Sequence, residues 1–250
     1  MGGDLVLGVV AIAVFAGALA FQRAEPLARV VSARRVSGNV VRPPTQTAAN
    51  PFVSTVAEAI NPKLAVYDAP DAPQPSRTLD NPQPSGAPLI FLVKQLGDPW
   101  LNVFLPVRPN GSTGWIKRSE VKLSQHDWRV LVELSAHRIT VFQGASIFLQ
   151  EPVAVGKQDT PTPGGVYYIK ELLRPPNPNT VYGPYAYGLS GFSNVLTTFG
   201  GGEGVIGIHG NNDASVLGHD VSHGCIRMSN PGIEKLVSVL PLGVPVEIKP

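Results

Sequence analysis

A disulfide needs two cysteines, and this chain of 250 residues has one, Cys225. No internal disulfide can staple the fold, and cysteine usage does not fix the redox compartment. Charge is also sparse: 15% of residues are Asp, Glu, Lys or Arg, the formal net charge is +2, and no long basic run occurs. A nucleic-acid partner calls for a dense cationic face, so none is expected here. Long helices are disfavoured too, because 26 glycines and 25 prolines break the chain at short intervals. What remains is a 43% hydrophobic sequence, long enough for one or two domains with real cores. Short strands joined by turns are the expected building material.

The N-terminus breaks this pattern. Leu5 to Phe21, "LVLGVVAIAVFAGALAF", is uncharged throughout and apolar or glycine at every position. Such a run is near the lower limit for a membrane span and long for a signal-peptide core, and "ALA" at Ala18–Ala20 offers a cleavage site. A buried core helix is the alternative, disfavoured because the run has no polar face. Residues 1–22 are therefore expected to be a signal peptide or membrane anchor. Asp4 precedes the run, and Arg23, Arg29, Arg34 and Arg35 come after it. By the positive-inside rule this charge pattern would put the C-terminal side of the run in the cytoplasm.

Residues 23–60 show little periodicity, and "VRPPTQTAANP" has the composition of an extended linker. Residues 61–125 alternate short strand-like runs with turns, including Asn110–Gly111 where a hairpin turn is expected. "WLNVFLPV" followed by "TGWIKRSEVKL" resembles the bacterial SH3-like barrel, which implies a binding or spacer role. From 126 to 250 strands continue, with Val130 and Val132 alternating against Leu131 and Glu133. "GVIGIHG" reads as a strand ending at His209. One short helix is expected in "NPGIEKLVSVLPLG", with Asn230 as its cap and Ile233, Leu236, Val237 and Leu240 on one face. The expected fold is thus mainly β: a small barrel followed by a second β domain with one or two short helices.

Cys225 stands in "SHGCIRM", and His209 lies in "IGIHG" upstream. Three readings compete. As a nucleophile, the thiol needs a base, since a free thiol has a pKa of about 8.5 and is little ionised at neutral pH. A histidine at a strand end, facing a loop that returns the chain, can supply it. Gly224 would let a substrate backbone come close, and neighbouring amides could hold an oxyanion. As a zinc site, His209, His219, His223 and Cys225 make a ligand set of the right size. The spacing lacks the tight C-x-x-C or H-x-x-x-H pairs of structural sites, and His223 and Cys225 would point apart on an extended segment. The third reading is a buried small hydrophobe.

The same residues carry a resemblance. "IGIHG", then "SHGCIRM", with "AVGKQDTPTPGGVYYI" and "YGPYAYGLSGF" upstream and "LPLGVPVEI" at the end, resemble the L,D-transpeptidase catalytic domain of YkuD type over about Trp128 to Ile248. The resemblance implies a β-sandwich domain in which Cys225 is the nucleophile, His209 the general base, and the backbone carbonyl of Gly210 the group that orients it. It implies that Ser222, His223, Gly224 and Arg227 support or bind substrate, with the amides of Gly224 and Cys225 forming the oxyanion hole. Arg227 is one departure, since much of the family has Asn there, but Arg is a frequent variant that leaves catalysis intact; a substrate carboxylate is its candidate partner. No metal and no cofactor are implied. The implied reaction is acyl transfer in peptidoglycan. The thiolate takes the acyl group of a stem tetrapeptide, D-alanine leaves, and an amine resolves the thioester as a 3→3 cross-link. Stem peptides are the implied partners, and carbapenem β-lactams the implied covalent inhibitors. The cell envelope is the implied location, with the N-terminal segment meeting the membrane. That location conflicts with the charge pattern around Leu5–Phe21.

Four alternatives are weighed. A sortase would need a "TLxTC" strand and a later arginine on its own strand, and neither occurs. A papain-like peptidase places Cys before His, the reverse of the order here. L,D-carboxypeptidase action needs only water in place of the acceptor, and a non-catalytic wall-binding protein would need a lost nucleophile or base.

Overall fold

The computed structural model describes residues 22–23, 50–198 and 202–250. The expected anchor run Leu5–Phe21 and most of the expected linker lie outside the described residues. Among the described residues no helix is long and apolar enough to cross a membrane.

A two-residue strand β1 (Gln22–Arg23) is followed by β2 (Ser54–Ala59), β3 (Lys63–Val66), β4 (Arg77–Asp80), β5 (Ile90–Gln95), β6 (Trp100–Phe104), β7 (Thr113–Lys117) and β8 (Val121–His126). Five of these form an antiparallel sheet in the order β7-β6-β5-β2-β8, and β3 and β4 pair beside it. Its core is Ala57, Leu64, Val66, Phe91, Leu101 and Ile116 with their neighbours, the inward half of each alternating strand. Residues 54–59 were expected in the linker. They form instead the strand between β5 and β8, because Val56 and Ala57 are buried from both sides of the sheet. Asn110–Gly111 does sit at a turn, with Gly111 at φ +79 and the Ser112 N–H bonded to the Pro109 carbonyl at 3.2 Å. The connection is longer than a two-residue hairpin: it projects from the sheet and reaches the second unit.

That second unit contains β9 (Trp128–Glu133), β10 (Arg138–Gln143), β11 (Ser146–Pro152), β12 (Val155–Gly156), β13 (Gly165–Arg174), β14 (Ala186–Phe192), β15 (Val205–His209), β16 (Asp220–Ser222), β17 (Ile226–Arg227), α1 (Asn230–Val237) and β18 (Pro245–Lys249). The main sheet runs β11-β10-β9-β18-β13-β14-β15-β17, with β1 beside β13, while β12 pairs with β16. The molecule is mainly β, with one α-helix among the described residues. The expected alternation holds: Val130 and Val132 are buried, as are Ile139 and Val141 on the next strand. The helix packs Ile233 and Leu236 into the core. Its cap is Ser229, whose side chain accepts from the Gly232 N–H at 2.9 Å. Asn230, expected as the cap, is the first helical residue, and its Oδ1 accepts from the Asn211 N–H at 2.8 Å. The helix start is thereby tied to the segment after His209.

The two units share a packed interface. Val56, Ile90, Leu92 and Tyr168 form one buried cluster, and the Tyr168 hydroxyl donates to the Ile90 carbonyl at 2.9 Å. Gln83 Nε2 donates to the Lys170 carbonyl at 3.1 Å. Arg108 donates to the carbonyls of Ser193, Leu196 and Glu203 at 2.8, 3.2 and 3.0 Å. Asn110 exchanges hydrogen bonds with the backbone of Phe192 at 2.8 and 2.9 Å.

Candidate active site

His209 is the last residue of β15, whose parallel neighbour β17 places Ile226 beside Ile208 and Arg227 beside His209. The Met228 N–H bonds to the His209 carbonyl at 2.9 Å. The same register carried back one residue sets Cys225 beside Gly207. The Gly207 N–H acts on the Cys225 thiol as a hydrogen-bond donor, favouring its ionised form. His209 and Cys225 line one cleft of about 460 Å³, together with Tyr182, Glu171 and residues of the 202–207 segment. Its far wall includes Pro84 and Ser85 from the first unit.

His209 is 2% exposed. Its Nδ1 lies 2.7 Å from the Gly210 carbonyl. A carbonyl only accepts, so Nδ1 carries the proton and the neutral ring keeps its lone pair on Nε2. Burial pushes the imidazole down to about 4; the Gly210 carbonyl resists this, the nearby Arg227 guanidinium adds to it, and the Val181 carbonyl resists it weakly. The Tyr182 ring lies 5.1 Å from the imidazole, centroid to centroid.

Cys225 is partly open to the cleft, yet crowding by protein raises its thiol above the ordinary range, against the Gly207 amide and Arg227, which lower it. Desolvation disfavours the charged form of each partner. Burial thus favours the uncharged form of both, thiol and neutral imidazole.

The turn carrying Cys225 is built by Ser222. Its side chain is fully buried, and its Oγ donates to the Cys225 carbonyl at 2.6 Å and accepts from the Gly224 N–H at 3.0 Å. The Ser222 carbonyl in turn accepts from the Lys157 N–H at 3.1 Å. Two sequence expectations change as a result. Ser222, expected to meet substrate, is closed off from the cleft. The Gly224 amide, expected in an oxyanion hole, is occupied within the turn. Gly224 itself sits at φ +114, a conformation that favours glycine. His223 is exposed and lines a small recess with Gly224, Cys225, Ser193 and Leu196. Arg227 is not a surface charge: its Nε is buried without a hydrogen-bond partner, and its field reaches His209, Cys225 and Tyr182. His219 is exposed, and among the described residues no three His, Cys, Asp or Glu side chains form a group that could hold a metal ion.

Three contributors were not legible beforehand. The Gly207 amide has no side-chain signal. Tyr182 and Glu171 sit in segments whose cleft-facing positions depend on strand register.

The family model of the YkuD L,D-transpeptidase catalytic domain matches residues 127–248. Two curated proteins named as L,D-transpeptidase YkuD are similar: that of Bacillus licheniformis is 35% identical over 123 residues, 49% of this chain and 66% of its own length. That of Bacillus subtilis strain 168 is 34% identical over 121 residues, 48% of this chain and 65% of its own. The chain thus spans just under two thirds of either relative. Among solved structures, an L,D-transpeptidase from Mycobacterium smegmatis aligns at a TM-score of 0.41 and 15% identity, over 64% of this chain and 89% of that one.

Proposed function

We propose that this chain, whose residues 127–248 belong to the YkuD family of L,D-transpeptidase catalytic domains, is a cysteine acyltransferase acting on peptidoglycan stem peptides. The observation that carries the reading is the meeting of Cys225 and His209 in one cleft, with the imidazole Nδ1 committed to the Gly210 carbonyl.

The thiol Sγ attacks the carbonyl on the L-centre of the third stem residue. As the C–S bond forms, His209 Nε2 takes the thiol proton. The tetrahedral intermediate collapses, the C–N bond to the terminal D-alanine breaks, and the imidazolium gives its proton to the leaving amine. A thioester remains. An acceptor amine then attacks it, His209 takes the amine proton, and the C–S bond breaks. The sulfur regains its proton from the imidazolium. An amine from a second stem gives a 3→3 cross-link; water gives a shortened stem. Because both partners rest neutral, proton transfer and attack are coupled, with the Gly207 amide and Arg227 steadying the charge that develops on sulfur. The Cys225 amide remains a candidate oxyanion donor, while Gly224 would have to leave Ser222 to join it.

Peptidoglycan lies outside the cytoplasmic membrane, so this reading places the domain in the cell envelope, delivered or held there by the apolar run Leu5–Phe21. The first unit, read as an SH3-like barrel over residues 61–125, contributes through Gln83, Arg108 and Asn110 rather than through chemistry of its own. Carbapenem β-lactams would acylate the same sulfur.

The test is incubation with a disaccharide tetrapeptide and mass analysis of products. A cross-linked dimer short of one D-alanine supports transpeptidation, and a tripeptide stem alone supports carboxypeptidase action. Unchanged substrate contradicts the reading.

A further inference from the structure

The strand β13 carries an irregularity that the proposed chemistry does not use. Ile169 pairs with Leu189 and Glu171 with Gly188, so Lys170 is an extra residue, a β-bulge. Bulges re-aim side chains and recur beside active sites. Here adjacent residues meet: Lys170 Nζ lies 2.6 Å from Glu171 Oε1, with both side chains about nine-tenths buried. Lys170 also donates to Gln83 Oε1 of the first unit at 3.2 Å. Glu171 forms part of the cleft wall.

The ladder shows where that carboxylate lies relative to the sulfur. Glu171 is opposite Gly188, and Gly188 is opposite Gly207. Gly207 gives its amide to Cys225. The two glycines between acid and thiol add no side chain of their own to this strip of the sheet. The Glu171 carboxyl folds over Gly188, so that a Cβ there would collide with it. From over Gly188 to Cys225 is two strand spacings, about 10 Å. The side-chain amine of a lysine-like residue lies six bonds from its own carbonyl carbon, about 7 Å when extended. With the carbonyl at Cys225, that leaves room for one charge-assisted hydrogen bond, about 2.8 Å long.

The geometry points to Glu171 as a recognition site for the free side-chain ammonium of the acyl donor, the residue whose carbonyl Cys225 attacks. Lys170, itself tied to Gln83 Oε1, holds Glu171 Oε1 over Gly188, so that the carboxylate stands at the end of this strip nearest the first unit. The site therefore reads a cationic amine at a fixed distance from the reacting carbonyl, and the bulge and the first unit together aim it. This rests on the acyl-transfer reading of Cys225 and His209.

The experiment compares tetrapeptide stems carrying lysine or diaminopimelate at position three, each with the side-chain amine free or acetylated, in the intact chain. The wild type should acylate from at least one free-amine stem at a kcat/KM about tenfold or more above its acetylated twin. Glu171→Gln should lose that preference by slowing on the free-amine stem alone. A carbapenem whose side chain carries no amine should still label Glu171→Gln, at a rate reduced far less than that of the free-amine stem. Equal use of free and acetylated stems by the wild type overturns the proposal without any variant, as does a Glu171→Gln protein that keeps the preference. Absence of both carbapenem labelling and stem turnover in the wild type overturns the acyl-transfer reading itself, and this proposal with it.

Discussion

The His209 ring donates from Nδ1 to the carbonyl of the next residue, Gly210, at 2.7 Å. A backbone group thus does what a carboxylate does in a Ser-His-Asp triad, fixing tautomer and ring direction, but adds no negative charge. Without that charge the Gly210 and Val181 carbonyls offset burial only in part, and burial holds the imidazole down at about 4.

The carbonyl stays in place because Gly210 is wedged. A Cβ there would run into Asn230 Oδ1, and would approach Pro184 Cδ to 2.9 Å. Gly210→Ala should move the carbonyl and loosen the ring. We expect acylation slowed by roughly 10- to 100-fold, with a melting temperature lowered by a few degrees, measured by carbapenem labelling and calorimetry.

The depressed His209 also makes stability depend on pH in a stated direction. Its ordinary value is 6.5 and its folded value about 4. Between these values the unfolded chain takes up a proton that the folded chain refuses, so stability falls as pH drops from 6.5 towards 4. The contribution is about 3 kcal/mol at most. His209→Gln should flatten this part of the urea-midpoint profile; an unchanged slope would place the effect elsewhere.

Arg227 opposes a charged His209 and favours a charged Cys225. Arg227→Met should therefore raise both groups. The pH midpoint for iodoacetamide alkylation of Cys225, already above the ordinary thiol range in the wild type, should move higher still. A wild-type midpoint well below neutrality would indicate a preformed thiolate–imidazolium pair instead.

Arg108 holds three carbonyls around the 193–204 segment, parts of which line the recess beside Cys225. Arg108→Ala should leave the cores intact and reduce stem acylation by about tenfold, since misplaced walls cost rate even far from the chemistry. Steady-state kinetics with circular dichroism as a fold check reads this directly.

Much of this arrangement is legible in the residues alone. Val130 and Val132 announce their strand by alternation, and His209 and Cys225 stand out by type and spacing. Local pattern fails where the cause is non-local. Ser54–Ala59 has a short, ordinary composition and becomes a strand only because β5 and β8 flank it. Ser222 enters as a support or substrate contact only through the resemblance; its burial comes from how the turn closes on Lys157 and Thr160. Glu171 gives no signal because one bulged residue decides which way it points. Arg108 and Asn110 read as loop residues, and their partners lie more than eighty positions away.

The most direct test is the intact mass of the purified protein after exposure to a carbapenem. The wild type should gain one covalent adduct, Cys225→Ala none, and His209→Gln the same adduct at a rate at least about a hundredfold lower. An adduct on Cys225→Ala, or wild-type labelling by His209→Gln, would contradict the assignment of this pair.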